Sequence, residues 1–287
     1  MERIWPQVKA RQTFAASVLA VQAATGQADG PPKERAISNE LVISVIDGPV
    51  ARLTLNDPDR ANVLSRAMMA SLAEALNAAS DNPEVRVIVL AAAGRIFCAG
   101  HDLAELRASD DAAEHRALFD QCSALMLTIG EARPPVIARI HGAAVAAGCQ
   151  LAASCDMAFA ADTVRFAVSG VNLGLFCSTP GVALARNIGR KAAAEMLFTG
   201  QFIGAAEAER LGLINRAVPA GELNKTVDAA AASIAGKAPD AVALGKQILR
   251  RQVEAPLADA YALAGGAMVE NLSFASAKTG IDGFLKK

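Results

Sequence analysis

Two short segments rich in glycine and alanine are the parts of this sequence best suited to chemistry. The first is GRIFCAGHDL at 94–103, after a strand-like run, and the second is HGAAVAAGCQL at 141–151, after another. Small residues at the carboxyl end of a strand often form only a tight turn. Such a turn can also leave backbone N–H groups unpaired, as the first turn of a helix does. If the two turns converge, their N–H groups could bind one oxyanion.

Four side chains in or near these segments could also react. His101 adjoins the first turn, and an ordinary histidine pKa near 6.5 suits proton transfer; the alternative is a side chain that faces a ligand or the surface. Asp102 more plausibly holds the turn through backbone hydrogen bonds. Cys149 and Cys177 lie in apolar sequence, which is typical of buried small residues rather than nucleophiles.

Periodicity predicts the elements that position these turns. Two strand-like runs meet at Asp47-Gly48, a strong hairpin signal. Ser65 is a possible N-cap for a helix over 65–79, and 112–129 has helical periodicity. Strands separated by helices predict βαβ units, and the last third of the chain is mainly helical. The predicted strands are 41–46, 50–55, 86–90, 136–140, 157–160 and 165–168.

Composition limits the classes of partner. The 287 residues carry a net charge of -1, which gives no reason to expect nucleic acid or an anionic membrane. The apolar stretch 143–153 is too short for a membrane span. Five cysteines without a CxxC pair favour a reducing compartment. Three histidines, none at ligand spacing from another, predict no metal site. Residues 1–30 are predicted to form a surface helix or tail, and the alternative, a transit peptide, has weaker support in the sequence.

Several dispersed motifs occur in a recognisable order: FCAGHDL, PPVIARIHG, AAGCQLAASCD, RFAV…LGLF and AEMLFTGQ…AERLGLINRAV. By these motifs the chain, over roughly 40–287, resembles the enoyl-CoA hydratase/isomerase family, also called crotonases. Residues 170–181, GVNLGLFCSTPG, look like the signature of one branch of that family. The resemblance implies an α/β crotonase-like ββα spiral. We expect an N-terminal extension and linker at 1–38, a spiral core at about 39–220 and a helical C-terminal region at about 221–287.

The resemblance also implies a site. In this family two backbone N–H groups hold the thioester oxygen, and by motif position these belong to Ala99 and Ala147. Two family glutamates fall at Gln150 and Gly170, where neither residue can exchange a proton. General acid–base catalysis contributes about 10²–10⁴-fold per group, so we expect hydration to be crippled. The further substrate contacts implied are Asn62, Gly100, His101, Asp102, Leu103, Gly148 and Lys286.

Three functions remain open from the sequence. The chain could be an acyl-CoA enzyme of lyase or isomerase type whose reaction needs mainly enolate stabilisation, such as decarboxylation or thioester hydrolysis. It could be a non-catalytic acyl-CoA-binding protein, or a hydratase whose acid and base lie elsewhere. The resemblance implies no cofactor beyond the coenzyme A of the substrate, no metal, and a homotrimer or dimer of trimers. We expect it in the cytoplasm, or in the mitochondrial matrix of a eukaryote.

Overall fold

The predicted hairpin comes first in the described part of the chain. The computed structural model describes residues 40–286, so the expected extension at 1–38 lies outside the described residues, as does Lys287. Strands β1 (Val42–Asp47) and β2 (Val50–Leu55) pair antiparallel, with Asp47 opposite Val50. Gly48 has a φ of 53°, the left-handed conformation that a tight hairpin turn requires. The hairpin prediction is confirmed.

A six-stranded sheet continues from this hairpin in the order β1-β2-β3-β4-β6-β9. Strands β2, β3, β4, β6 and β9 are parallel to one another. The side chains of β3, β4 and β6 are mostly buried on both faces, as parallel strands covered by helices require. Parallel neighbours end at the same edge of the sheet, so the segments after β3 and β4 leave the sheet side by side. The new strands are β3 (Val87–Ala92), β4 (Val136–Ile140), β6 (Met157–Ala161) and β9 (Arg216–Val218).

A second, three-stranded sheet has the order β5-β7-β8. Strands β5 and β7 are parallel, whereas β7 and β8 are antiparallel. The sequence predicts only β7, because two-residue strands are too short to show an alternating pattern. The strands are β5 (Ala144–Val145), β7 (Arg165–Ala167) and β8 (Ile203–Gly204).

Eleven α-helices cover and extend the sheets within residues 40–286. The predicted cap is present, since the Met68 N–H donates to Ser65 Oγ over 3.1 Å at the start of α1. The helices are α1 (Arg66–Asp81), α2 (Leu103–Arg107), α3 (Ala112–Glu131), α4 (Ala147–Ser154), α5 (Ser178–Asn187), α6 (Arg190–Thr199), α7 (Ala205–Leu211), α8 (Leu223–Ala235), α9 (Pro239–Gln252), α10 (Leu257–Ser273) and α11 (Ala275–Leu285).

A buried lysine ties α9 to the sheet. Lys246 Nζ lies 2.7 Å from Asp156 Oδ2 and donates to the carbonyl oxygens of Ile129 and Pro134. These three partners compensate a charge that burial would otherwise make costly. None of the helices in the described part of the chain is long and apolar enough to cross a membrane. The helices beyond α9 nevertheless expose large apolar side chains. The exposed side chains on α10 and α11 include Leu257, Tyr261, Met268, Val269, Leu272, Ile281 and Phe284.

Candidate functional site

The two glycine-rich segments are joined by backbone hydrogen bonds. The Phe97 N–H donates to the Ala143 carbonyl over 3.1 Å, and the Val145 N–H donates to the Cys98 carbonyl over 2.9 Å. The segments therefore pair as a short parallel bridge just beyond β3 and β4. The convergence that the sequence suggested is present in the structure.

Two glycines allow this close approach. A Cβ at Gly142 would lie 2.0 Å from the carbonyl oxygen of Arg95. A Cβ at Gly148 would lie 2.1 Å from the carbonyl oxygen of Cys98. Neither distance is possible for a side chain, so both positions require glycine because backbone meets backbone. Gly148 was expected to contact substrate; its packing against the first segment is what fixes its identity.

The amide of Ala99 is already used inside the protein. Its N–H donates to the Ala61 carbonyl over 3.1 Å, so it is not free to bind a ligand oxygen. The expected oxyanion role of Ala99 is corrected on this ground. The Ala61 carbonyl reaches it from a loop in which Ala61 and Asn62 both have positive φ, near 53°. Nothing in the motif itself reveals that loop.

The amides of His101 and Ala147 are free. No hydrogen bond from either N–H is present within residues 40–286. They belong to opposite segments, and those segments are in contact, because a Cβ on Gly100 would lie 3.3 Å from the Ala147 nitrogen. Gly100 has a φ of 100°, a conformation open to glycine, and is itself packed against the second segment. His101 is therefore a better first donor than Ala99.

Ala146 carries backbone strain where α4 begins. Its φ of 50° and ψ of −116° are unusual for a residue with a side chain, and its N–H donates to Ala167 over 2.8 Å. Such conformations cost about 1–3 kcal/mol and persist where the surroundings hold them. No side chain caps α4, so its first N–H groups, beginning with that of Ala147, remain available.

Asn62 is a structural residue. Its Nδ2 donates to the carbonyl oxygens of Ala93 (2.9 Å) and Ile96 (2.8 Å), and its Oδ1 accepts from the Asp57 N–H. The side chain is fully buried and its amide is committed on both ends. The side chain of Asn62 therefore holds the first segment in place, and a substrate contact at Asn62 stays a prediction.

Asp102 also holds the turn, as its local hydrogen-bonding capacity suggested. Its Oδ1 accepts from the Ala104 N–H over 2.9 Å and caps α2, while its Oδ2 pairs with Arg60. Leu103 is exposed at the start of α2. Lys286 is exposed at the end of α11, and no hydrogen bond or ion pair joins it to either segment across the described ranges.

Gln150 lies one turn after Ala147 on α4 and is only 5% exposed. Its Oε1 is sealed from solvent and has no hydrogen-bond partner in the part of the chain that the structure describes. Its backbone N–H makes the first internal bond of the helix, to Ala146. A buried, unpaired amide oxygen is uncommon in a folded protein and marks a place where a ligand group or water could bind.

The backbone position of Gly170 has no room for a side chain. A Cβ there would lie 2.3 Å from the Leu175 carbonyl oxygen and 2.8 Å from the Cys177 sulfur. The Leu175 N–H donates to the Gly170 carbonyl, and the Gly170 N–H donates to Cys177 Sγ over 3.3 Å. The 170–177 loop is folded tightly over this residue. No side chain of any size fits without a shift of the backbone.

His101 places its ring in an apolar setting. Its Nδ1 is 3.4 Å from the Leu64 carbonyl oxygen, and its ring meets Phe119 of α3 edge to face at 5.5 Å. The Nε2 atom is buried and, among the described residues, has no partner. Burial lowers the pKa of His101, against smaller opposing effects of the Leu64 carbonyl and Glu105. Burial therefore favours the neutral form of the ring.

The cysteines near the site are buried, and burial favours the protonated thiol over the thiolate. Burial raises the pKa of Cys98 and of Cys149 to about 12, and it raises the pKa of Cys177 as well. A thiol with a raised pKa is a poor nucleophile at neutral pH, as the sequence suggested. Within residues 40–286 no group of three or more His, Cys, Asp or Glu side chains is arranged to hold a metal ion.

Comparison with known proteins identifies relatives over nearly the whole described chain. A family model described as enoyl-CoA hydratase/isomerase matches residues 46–287. The human mitochondrial enoyl-CoA hydratase domain-containing protein 3 is 44% identical over 242 residues, which cover 84% of this chain and 80% of the relative. Its Xenopus laevis counterpart is also 44% identical, over 83% of this chain and 81% of the relative.

Solved structures agree. A structure described as enoyl-CoA hydratase from Mycobacterium smegmatis superimposes with a TM-score of 0.84 at 49% identity, over 86% of this chain and 96% of the other. The human enoyl coenzyme A hydratase domain-containing protein 3 also has a TM-score of 0.84, at 42% identity, over 86% and 97%. The α/β crotonase-like fold and the resemblance to that branch are confirmed.

Proposed function

Because the chain belongs to the enoyl-CoA hydratase/isomerase family, we propose that it binds an acyl-CoA thioester in a hole formed by main-chain amides. The thioester carbonyl oxygen lies between the N–H groups of His101 and Ala147. One observation carries the proposal: within residues 40–286 these two amides have no hydrogen-bond partner and belong to two segments in contact, whereas the neighbouring Ala99 amide is occupied. A donor of this kind contributes about 3–4 kcal/mol of transition-state stabilisation in enzymes where one was removed.

Both donors are main-chain atoms, so side-chain replacements leave them in place. Alanine at 147 supplies the same N–H as glycine would. The strained Ala146 and the glycine contacts at 142 and 148 hold the segments at a fixed separation. A rigid donor pair needs no reorganisation when negative charge develops on the thioester oxygen, which is the condition for effective electrostatic stabilisation.

Hydration of an enoyl-CoA is not the reaction that these residues support best. Gln150 has no proton to exchange near neutral pH, and Gly170 has neither a side chain nor room for one. Loss of both groups at about 10²–10⁴-fold each removes most of what general acid–base catalysis supplies to water addition. Reactions that need mainly enolate stabilisation, such as decarboxylation, remain compatible with the hole, and so does binding without turnover.

Binding is tested with a thioester and its thioether. Isothermal titration calorimetry compares butyryl-CoA with S-butyl-CoA, which lacks only the carbonyl oxygen. We expect the thioester to bind at least about tenfold more tightly, equivalent to about 1.4 kcal/mol. The carbon-13 resonance of a labelled thioester carbonyl should also move downfield on binding, because hydrogen bonds polarise it. Equal affinity for the two ligands would show that the carbonyl oxygen gains nothing from the main-chain amides, and would contradict the proposal.

Turnover is tested with a substrate panel. Crotonyl-CoA, a malonyl-type thioester, a saturated thioester and a 3-hydroxyacyl-CoA are each incubated with the protein and followed by chromatography. We expect crotonyl-CoA hydration well below the rate of a family hydratase assayed beside it. Rapid hydration would show that an acid and a base lie elsewhere. Tight binding without any turnover would favour a non-catalytic acyl-CoA-binding protein.

Assembly and location belong to the same proposal. The exposed apolar side chains of α10 and α11 support a homotrimer or a dimer of trimers, because a free chain rarely leaves so many together in water. Native mass spectrometry gives the subunit number directly, and a monomer would contradict this. In a eukaryotic host we propose the mitochondrial matrix, as the names of the vertebrate relatives indicate for those proteins, and otherwise the cytoplasm.

A further inference from the structure

We propose that Gln150 selects the acyl group of the ligand. Its side-chain amide donates to an oxygen on the third carbon of the acyl chain, while the two main-chain amides hold the thioester oxygen. The ligand class is a 1,3-dicarbonyl thioester, either a 3-oxoacyl-CoA or a malonyl-type CoA. This inference rests on the proposed acyl-CoA site and deepens it by naming the substrate class.

Both ends of the Gln150 amide lack a hydrogen-bond partner within residues 40–286. Oε1 is sealed from solvent, whereas Nε2 belongs to the 5% of the residue that stays accessible. Turning the amide over would seal two N–H donors in place of one acceptor, and each buried donor without a partner costs free energy. The donor end of the amide is therefore the end that a ligand meets.

Helix geometry places this donor beside the Ala147 amide. The Gln150 N–H donates to the Ala146 carbonyl over 3.1 Å, so Gln150 lies one turn along α4 from the start of the helix. Side chains three residues apart on a helix have Cβ atoms about 5–6 Å apart, and a long side chain leans over the preceding turn. The Gln150 amide therefore reaches toward the end of α4 where the Ala147 N–H is free.

The start of α4 favours an electron-rich ligand. No side chain caps this helix, and its first N–H groups carry partial positive charge. The Gln150 amide adds a third N–H donor to those of His101 and Ala147, and an N–H group cannot accept a hydrogen bond. A 1,3-dicarbonyl unit matches this set, because its two carbonyl groups are separated by one carbon and their oxygens only accept.

Glutamine rather than glutamate at position 150 decides this preference. A carboxylate there would repel a ketone or carboxylate oxygen of the ligand, because neither side has a hydrogen to donate. A hydroxyl group on the ligand differs, since it donates to a carboxylate as readily as it accepts from an amide. Ketone and hydroxyl ligands therefore distinguish a donor at position 150 from an acceptor.

Isothermal titration calorimetry with butyryl-CoA, acetoacetyl-CoA, malonyl-CoA and 3-hydroxybutyryl-CoA tests the proposal. We expect the wild type to bind acetoacetyl-CoA or malonyl-CoA at least about tenfold more tightly than butyryl-CoA, as one added hydrogen bond allows, and the tighter of the two identifies the member of the class. In Gln150→Met this preference should fall to within about twofold, with the affinity for butyryl-CoA unchanged. In Gln150→Glu, acetoacetyl-CoA should bind more weakly than butyryl-CoA, whereas 3-hydroxybutyryl-CoA should not.

Another glutamine provides a matched control. Gln121 on α3 is half-buried, but its Nε2 donates to the Arg66 carbonyl over 2.9 Å. Gln121→Met makes the same chemical change and should leave the ligand preference within about twofold of wild type. Circular dichroism and the preference for butyryl-CoA over S-butyl-CoA are measured on each variant. Gln150→Leu is the second variant, should the methionine form not fold.

A spectroscopic readout separates a ligand contact from a packing role. Acetoacetyl-CoA loses the proton between its carbonyl groups to the buffer as pH rises, and the enolate that forms absorbs ultraviolet light. Hydrogen-bond donors stabilise the enolate, so the pKa of the bound ligand should lie at least about 0.5 pH unit higher in Gln150→Met than in the wild type. A side chain that only fills space would leave the pKa of the ligand unchanged.

The outcomes are distinguishable. Equal wild-type affinity for butyryl-CoA and S-butyl-CoA would overturn the acyl-CoA site itself. If that preference is retained, equal wild-type affinity for butyryl-CoA and both dicarbonyl ligands would overturn the role of Gln150 alone. An undiminished dicarbonyl preference in folded Gln150→Met, or tighter binding of acetoacetyl-CoA to Gln150→Glu than to the wild type, would overturn it as well. So would an equal loss of preference in Gln121→Met, or an unchanged ligand pKa in Gln150→Met.

Discussion

Gln150 and Gly170 stand where the family resemblance places two glutamates, yet their surroundings differ. Gln150 has a buried side chain on α4, and its amide oxygen has no hydrogen-bond partner among the described residues. Gly170 has the Leu175 carbonyl and the Cys177 sulfur where a side chain would begin. Position 150 holds a side chain as long as glutamate, whereas position 170 has no space for a side chain.

The difference indicates which of the two positions could accept a glutamate. A change of one side chain at Gln150 could be reversed by one substitution, because the backbone there is that of a normal helix. At Gly170 the 170–177 loop leaves no room for a side chain. The hydrogen bond from the Gly170 N–H to Cys177 Sγ helps to hold the loop in this conformation. Restoring both glutamates together would therefore be expected to fail at the second position for steric reasons.

The largest effect should come from Gly170→Glu. Its Cβ must displace a backbone oxygen now 2.3 Å away, and its carboxylate then needs solvent or a partner. We expect a loss of at least about 3 kcal/mol in the free energy of unfolding, measured by urea denaturation. Gly221→Glu is the control, since nothing lies within 4 Å of a Cβ there and the site is exposed. A Gly170→Glu protein as stable as this control would mean that the loop opens freely.

Gly170→Ala should show the steric part alone. We expect about 1–3 kcal/mol of destabilisation, because a methyl group must push aside the Leu175 carbonyl and the Cys177 sulfur. Adding Cys177→Ala should recover part of that loss, which a double-mutant cycle of unfolding free energies would measure as a coupling of about 0.5 kcal/mol or more. Strict additivity would show that Cys177 plays no part in closing the position.

Gln150→Glu should fold and show a dependence on pH. Burial raises the pKa of a carboxyl group above its unfolded value near 4.3, so the charged form destabilises the fold as pH rises through that range. Relative to wild type, we expect stability to fall between about pH 3.5 and about pH 8 by about 1.4 kcal/mol for each unit by which the pKa is raised. Urea denaturation at the two pH values measures this. A pH-independent difference would mean that the carboxylate reaches water.

Gln150→Met should have the smallest effect. It keeps the length of the side chain and removes the unpaired oxygen, so we expect a change of less than about 1 kcal/mol in unfolding free energy, in either direction. The same variant serves as the pH control for Gln150→Glu. A loss of several kcal/mol would show that the amide makes hydrogen bonds, through ordered water, that stabilise the fold.

Much of the fold follows from local sequence patterns. The hairpin at Asp47-Gly48, the cap at Ser65 and the helix over 112–129 depend on short-range signals, and the structure contains all three. The second sheet depends on pairs of residues brought together by distant segments, which periodicity does not report. Its two-residue strands β5 and β8 were therefore not predicted.

The sequence predicted which two segments come together, but not which of their backbone amides lack a hydrogen-bond partner within residues 40–286. Small residues after β3 and β4 indicated that the two segments would come together, and the segments do pair through backbone hydrogen bonds. Which amide remains free depends on the Ala61 carbonyl, held by a loop with two residues at positive φ. Likewise the roles of Asn62 and Gly148 depend on contacts with residues far along the chain. Such long-range pairings decide donor identity, and a single sequence does not encode them visibly.

The contact of backbone with backbone at Gly142 and Gly148 has a consequence for how such a protein can change over generations. The spacing of the two segments is set by main-chain atoms, so it tolerates exchange of the side chains that surround the pocket. Side chains around the two segments can therefore be exchanged while the distance between the segments stays the same. Selection then acts most strongly on Gly142 and Gly148 rather than on the reacting side chains. Replacement of either glycine would force the two segments apart.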